Sequence, residues 1–177
     1  LGVPDTFAEP YPNLPLRRWH PGLVPRLPVD TYKQQQGHVL IVGGCKGMGG
    51  AAILGAETAL RSGAGLVTVA TDPANLSGLL ARMPEAMWVD VLGADAEPTL
   101  SSAMAAASVM VLGPGLGRGA WAQQVIGALE SYDGPMVIDA DGLYWLADSA
   151  RAKTLRNRGR PLFLTPHVGE AARLLEC

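Results

Sequence analysis

The stretch HVLIVGGCKGMGG, residues 38–50, decides the fold of this 177-residue chain. Its first five residues favour a strand, and they lead directly into a loop that holds five glycines. An alanine-rich helical pattern follows from Ala51. Glycine lets backbone N–H groups approach a ligand closely, and the start of a helix adds the positive end of its dipole. The stretch therefore predicts a strand–loop–helix unit that holds a phosphorylated or flat ligand.

The same alternation continues to the end of the chain. Short apolar runs such as Val109–Leu112 alternate with helical patterns such as residues 120–132. A continuously apolar strand is typical of a parallel sheet that helices cover on both faces. Alternating strands and helices predict such a sheet. We therefore expect an α/β fold of three layers, α/β/α, with a mostly parallel central sheet.

The two ends of the chain differ from this pattern. Residues 1–36 contain seven of the fourteen prolines. Proline removes a backbone donor and favours extended geometry in the residue before it, so this segment is predicted to be an irregular linker. The α/β domain would then occupy residues 37–177. Because the chain lacks an initiator methionine and stops within a helical pattern, we expect a piece of a longer protein whose domain is incomplete at its C-terminus.

Composition argues against several classes of protein. The chain is 48% hydrophobic and 17% charged, which is typical of a globular domain. Its net charge of −2 and the lack of a basic stripe argue against nucleic-acid binding. The apolar runs are too short to cross a bilayer, and the first residues lack the basic region of a signal peptide. Two cysteines cannot build a disulfide framework, so we expect a reduced, cytoplasmic setting.

The loops that follow the predicted strands carry the most informative residues. The carboxyl ends of parallel strands meet at one edge of a sheet, where α/β proteins bind their ligands. The loops at this edge are rich in glycine, aspartate and histidine. They are GGCKGMGG (43–50), TDP (71–73), GPGLGRG (113–119), DADG (139–142) and TPHVGE (165–170).

The first loop fits a dinucleotide-binding fingerprint. Residues 47–52 match the pattern G-x-G-x-x-A, and Asp72 follows about 20 residues later, where a ribose-binding acid would lie. This pattern favours a Rossmann-type oxidoreductase. However, four residues separate Gly47 from the strand end at Val42, whereas the first glycine of that fingerprint closes the strand almost at once. A plain glycine-rich turn is the alternative.

Three further loops supply candidate binding groups. Glycines at alternate positions of residues 113–119 would let a flat ligand press on bare backbone, or would only allow a tight turn. Asp139 and Asp141 would share a side if the strand persisted, and could bind ribose hydroxyls, hold Mg²⁺ through water or act as a base. Asp141 could instead cap the next helix. His167 could bind a ligand or cap the helix that follows it.

Other residues are weaker candidates. Cys45 lies in the first loop, but no second cysteine or histidine is near it in the sequence to activate a thiolate. His20 has no partner in the proline-rich segment. The chain contains no Walker A, H-E-x-x-H or G-x-S-x-G motif. Trp88, Trp121 and Trp145 are most simply explained as core or helix-face residues.

Four motifs together resemble one family. They are residues 39–71 (VLIVGGCKGMGGAAILGAETALRSGAGLVTVAT), 111–117 (VLGPGLG), 137–147 (VIDADGLYWLA) and 164–175 (LTPHVGEAARLL). In this order and spacing they resemble the ADP/ATP-dependent NAD(P)H-hydrate dehydratases, from about Lys33 to the end of the chain. The resemblance implies a ribokinase-like fold. It also implies repair of hydrated NADH or NADPH, in which ADP or ATP with Mg²⁺ phosphorylates the C6 hydroxyl and phosphate is then eliminated.

The resemblance also implies site residues. The hydrate-binding positions of the family fall on Ala51, Gly117 and His167, and its DAD acids fall on Asp139 and Asp141. Two positions depart from the family, which usually has proline at Val168 and a small or acidic residue at Cys45. No residue of this chain is assigned to a metal.

The resemblance places the catalytic aspartate and the ADP/ATP site in a glycine-rich motif that would come after Cys177. We therefore expect residues 1–177 alone to be inactive, and to form homo-oligomers or associate with the remainder of the domain. The first residues, LGVPDTF, resemble the last strand of the epimerase domain in bifunctional members. A Rossmann-type oxidoreductase and a non-catalytic dinucleotide-binding module remain the alternatives.

Overall fold

The computed structural model describes residues 28–93, 96–147 and 159–175. The chain divides into two units at Thr31, and every helix and strand reported below lies in the second unit. The predicted linker lies outside the described residues up to position 27. Its last part, Lys33–Gln36, forms a short 3-10 helix rather than an irregular segment. This turn contacts Gly65 ahead of the second strand, where a side chain would overlap the carbonyl of Lys33.

Six described strands form one sheet, and every pair of neighbours is parallel. Their order across the sheet is β3-β2-β1-β4-β5-β6. This confirms the predicted parallel α/β fold. The strands are β1 (His38–Val42), β2 (Leu66–Ala70), β3 (Met87–Val89), β4 (Val109–Leu112), β5 (Met136–Ile138) and β6 (Leu162–Leu164).

Helices connect the strands, as parallel pairing requires. The second 3-10 helix, Pro73–Asn75, comes directly before α2. Among the described residues, no helix combines the length and the apolar character needed to span a bilayer. The helices are α1 (Gly49–Arg61), α2 (Leu76–Arg82), α3 (Ala96–Ala106), α4 (Ala120–Ala128), α5 (Asp141–Leu146) and α6 (Val168–Leu174).

The core lies on both faces of the sheet. Leu40 and Val42 of β1 pack in one cluster with residues of α4 and α5, whereas Ile41 between them packs with residues of α1 and α2. Successive side chains of a strand point to opposite faces, and all three are at most 1% exposed. β1 is therefore covered on both sides, which confirms the three-layer arrangement.

A buried histidine makes the stability of the sheet depend on pH. Nε2 of His38 lies 2.7 Å from Oγ1 of Thr68 on β2, and burial lowers the pKa of the imidazole. Below about pH 6.5 the unfolded chain takes up a proton at His38 more readily than the folded chain does. The free energy of unfolding is therefore expected to fall as the pH drops through this range. At higher pH His38 is neutral in both states, so it should cause no further change with pH.

Urea unfolding at about pH 7.5 and about pH 5.5, on either side of the ordinary histidine pKa, measures this effect. His38→Gln keeps a hydrogen-bonding side chain but cannot titrate, so it should lose less stability than the native chain between the two conditions. Equal losses in the two proteins would show that His38 does not contribute.

Candidate functional site at the switch point of the sheet

The candidate site lies where the strand order reverses. From β1 the chain builds outwards to β2 and β3, and then returns to the other side of β1 to form β4, β5 and β6. In open parallel sheets, ligands bind beyond the carboxyl ends of the strands at such a switch point. Residues 43–48 follow β1 and residues 113–119 follow β4, so the two glycine loops flank this position.

Backbone hydrogen bonds join these two loops. The N–H of Gly44 donates to the carbonyl of Pro114 (2.9 Å), and the N–H of Cys45 donates to that of Gly115 (2.7 Å). A side chain on Gly43 would overlap the carbonyl of Pro114. Several glycines therefore serve the contact between the loops rather than a ligand. Gly47 remains open, because a Cβ there would meet no atom within 4 Å.

The first loop is also fixed from the side of β2. The carbonyl of Gly44 accepts hydrogen bonds from Oγ1 of Thr71 (2.7 Å) and Nδ2 of Asn75 (2.6 Å). Oδ1 of Asp72 accepts from the N–H of Ala74 (2.9 Å) and thus caps the 3-10 helix. A cap explains this acid without a ribose. The oxidoreductase interpretation therefore loses one of its two supports, the acid at Asp72.

Residues 139–141 form a turn, called the DAD turn below, whose two carboxylates bond to different loops. Oδ1 of Asp139 accepts from Oγ1 of Thr165 (2.8 Å), whereas Oδ2 of Asp141 accepts from the N–H of Gly117 (2.9 Å). The two acids were predicted to share a side only if the strand persisted, and this condition is not met, because β5 ends at Ile138 and the backbone then turns. Ala140 adopts a φ of 49°, the only positive φ of a non-glycine residue in the described part of the chain. Such strain is concentrated at functional sites.

Asp141 does not cap helix α5 through its side chain; the cap position is Ala140. Its Oδ1 instead accepts from Nε of Arg118 at 3.0 Å. Sequence reasoning missed Arg118, whose guanidinium also lies 4.3 Å from the ring centre of Tyr144. It also missed Trp145, which packs against the core as predicted but donates its indole N–H to the carbonyl of Gly117 (3.0 Å).

His167 caps helix α6. Its Nδ1 accepts from the N–H of Gly169 (3.0 Å), while Oε2 of Glu170 accepts from the N–H of His167 (2.9 Å). The capping hypothesis is therefore confirmed. Nε2 lies 3.3 Å from Oε1 of Glu170, and the side chain is 72% exposed. The ligand-binding role of His167 stays a prediction.

The five predicted site residues lie along one edge of the sheet. Ala51, at the start of α1, is exposed, and a Cβ placed on Gly115 would lie 3.2 Å from its Cβ. Gly117 lies two residues after Gly115 in the same loop, so the structure brings Ala51 and the loop of Gly117 together. His167 follows β6, two strands from β4, and that separation is about 10 Å at the usual strand spacing. This arrangement suits an extended ligand.

Cys45 does not have the properties of a nucleophile. Burial and the negative charges of Asp141 and Asp72 raise the pKa of its thiol, so the protonated form dominates near neutral pH. This agrees with its rejection on sequence grounds. Within the described residues, no group of three or more histidine, cysteine, aspartate or glutamate side chains could hold a metal ion.

Known proteins are similar to this chain in sequence. A Coxiella burnetii protein named bifunctional NAD(P)H-hydrate repair enzyme is 41% identical over 99% of the chain, which covers 35% of that protein. A Lactiplantibacillus plantarum protein named ADP-dependent (S)-NAD(P)H-hydrate dehydratase is 42% identical over 83% of the chain, which covers 51% of it. The chain thus spans between about a third and about half of the length of these relatives.

Two solved structures extend the comparison. A ribokinase-like superfamily protein of Enterococcus faecalis aligns over 84% of this chain and 51% of its own, with a TM-score of 0.70 and 32% identity. The ADP/ATP-dependent NAD(P)H-hydrate dehydratase of Bacillus subtilis, co-crystallised with ATP/Mg²⁺, aligns over 86% and 52%, with a TM-score of 0.65 and 26% identity. The expected ribokinase-like fold is confirmed.

A sequence model of one family, described as NAD(P)H-hydrate dehydratase, matches residues 39–177, which is most of the chain. The match covers all four motifs and the loops that meet at the switch point. The chain therefore belongs to the NAD(P)H-hydrate dehydratase family.

Proposed function

We propose that the protein carrying this chain repairs hydrated NADH and NADPH by nucleotide-dependent dehydration. This chain would supply most of the site for the hydrate, and ADP or ATP with Mg²⁺ would supply the phosphoryl group. The observation that carries the proposal is the joining of both glycine loops and the DAD turn at the switch point. Relatives with names for this activity are 41% and 42% identical to the chain.

The proposed reaction has two steps. The terminal phosphoryl group moves from the nucleotide to the C6 hydroxyl oxygen, which loses its proton. The C6–O bond then breaks, phosphate leaves, and loss of a proton from C5 restores the ring double bond. Positioning and charge stabilisation supply most of the catalysis in phosphoryl transfer. The catalytic aspartate and the donor site are predicted to lie after Cys177, on the resemblance alone.

The roles proposed for the chain's own residues follow from the atoms that each residue could present to the hydrate. Ala51 presents a small exposed side chain at the start of α1, and Gly117 gives the second loop a position without a side chain. Asp139 uses Oδ1 for Thr165, and its Oδ2, which has no partner in the described part of the chain, would bind a hydroxyl or amide of the hydrate. His167 uses Nδ1 for its cap, and its exposed Nε2, which lies 3.3 Å from Oε1 of Glu170, would be the atom that meets the ligand.

The proposal is tested with the full-length protein that carries this chain. The protein is incubated with NADPH hydrate, Mg²⁺ and either ADP or ATP, and the return of the absorbance of the dihydronicotinamide ring is followed. Return of the absorbance with release of phosphate supports dehydration. Tight binding of the hydrate with no return would favour a non-catalytic dinucleotide-binding module, and no binding would overturn the site. A cytoplasmic location and self-association remain predictions.

Two substitutions separate the two roles of His167. Asparagine is a good N-cap residue but has no Nε2, whereas alanine provides neither group. His167→Asn is expected to raise the KM for the hydrate about three- to tenfold at nearly unchanged stability, the worth of about one hydrogen bond. His167→Ala should add a loss of about 1 kcal/mol in the free energy of unfolding. An unchanged KM in both variants would leave His167 as a cap alone.

A further inference from the structure

Helix α5 holds Gly117 through both of its backbone polar groups, the N–H and the carbonyl. Oδ2 of Asp141, the first residue of the helix, accepts from the N–H of Gly117 at 2.9 Å. Nε1 of Trp145, one turn later, donates to the carbonyl of the same residue at 3.0 Å. Two side chains four positions apart lie on the same face of a helix, so one helical face meets both ends of one residue.

Gly117 needs such support. The residue is buried and has a φ of +75°, which only glycine adopts readily. A glycine loop loses more conformational freedom on ordering than any other backbone, so it keeps one geometry only where other groups hold it. The hydrogen bond that Gly117 donates to Asp141 is charge-assisted. The other carboxylate oxygen of Asp141 accepts from Arg118.

The helix itself is fixed against the sheet. Gly142 packs so closely on β4 that a Cβ there would contact the carbonyl of Leu112 at 2.5 Å. Tyr144 lies beneath the guanidinium of Arg118 and meets the ring of Trp145 edge-on, with 5.8 Å between ring centres. Helix α5, which carries Asp141 and Trp145, is therefore fixed against β4, the strand that the loop of Gly117 follows.

We infer that Trp145 and Asp141 are positioning residues, which fix the backbone of Gly117 in the loop where the hydrate is proposed to bind. The inference rests on the proposed function, and it gives Asp141 a role through Gly117 rather than direct contact with the ligand. Trp145 had no role from the sequence beyond packing. With its N–H and its carbonyl both held by side chains of α5, Gly117 keeps one backbone geometry within the second loop.

The test compares two tryptophan variants in the full-length protein. Trp145→Phe keeps an aromatic ring in the core but removes the donor to Gly117. Trp121→Phe is the matched control, because Trp121 packs half-buried against the same core cluster and its indole makes no hydrogen bond among the described residues. Trp145→Phe is expected to raise the KM for NADPH hydrate about three- to tenfold, with kcat and the KM for the nucleotide nearly unchanged. Trp121→Phe should leave all three constants unchanged.

Hydrogen exchange gives a second readout that does not depend on turnover. Amide protection in residues 113–119 should fall in Trp145→Phe and not in Trp121→Phe, while the unfolding midpoints of the two variants stay similar. Unchanged protection of this loop, or an equal change in both variants, would overturn the inference. A native protein that repairs no hydrate would overturn the proposed function instead, and the exchange result would still decide whether Trp145 holds the loop.

Discussion

Replacing Gly113 by alanine is expected to lower the free energy of unfolding by roughly 2–6 kcal/mol, the sum of a backbone term and an overpacking term. Gly113 has a φ of +125°, a conformation that L-residues rarely adopt. A Cβ on it would overlap the carbonyl of Asp139 and lie 2.6 Å from the nitrogen of Gly142. Both neighbours are backbone atoms, so the first turn of α5 would have to move away from β4.

Gly127 provides the matched control. It lies exposed within α4, and a Cβ there would meet no atom within 4 Å. Gly127→Ala should stabilise the fold by about 0.5–1 kcal/mol, because alanine loses less freedom than glycine on entering a helix. Urea unfolding of both variants measures the difference. Similar small changes in the two proteins would contradict the close contact between β4 and the DAD turn.

The fold could be predicted because its determinants are local. The apolar run Val109–Leu112 indicates a strand buried on both faces, and the glycine loop after β1 marks the passage from strand to helix. Parallel pairing then places the loops at one edge, whatever their side chains do. The cap at His167 was also within reach, since a capping box involves residues three positions apart.

The contacts within the site could not be predicted in the same way. Gly117 and Asp141 are 24 positions apart, and no periodicity indicates which carboxylate will accept from which loop. The strained turn at Ala140 decides it, because it directs Asp139 towards β6 and Asp141 towards β4. Trp145 was predicted from its hydrophobicity to be a packing residue, which says nothing about the bond that its N–H makes.

This separation gives the two acids of the DAD turn different tasks. Both oxygens of Asp141 are occupied, one by the N–H of Gly117 and one by Arg118. Within the described residues, the carboxylate of Asp139 has only Thr165 as a partner, through Oδ1. Asp139 is therefore the acid that can turn an oxygen towards a ligand without releasing a loop, and its substitution should affect binding more than folding.

Replacing Asp139 by asparagine is expected to lower kcat/KM for NADPH hydrate by about 10- to 100-fold, as for a lost hydrogen bond to a charged group. Asparagine keeps an oxygen that can accept from Thr165, so the link to the loop after β6 should survive. The stability should then stay within about 0.5–1 kcal/mol of the native value, the range of one neutral hydrogen bond. Steady-state kinetics and urea unfolding on the same preparation measure both quantities.

Asp133→Asn is the control for the loss of a carboxylate elsewhere. Its side chain is 62% exposed, it lies ahead of β5 rather than after it, and its ion pair with Arg160 at 3.5 Å is solvent-exposed. Exposed pairs of this kind contribute little, so this variant should keep its kinetic constants. If Asp139→Asn also kept a native kcat/KM, Asp139 would have no contact with the hydrate. If it instead lost several kcal/mol of stability, the charge of the Asp139 carboxylate would serve the fold rather than the ligand.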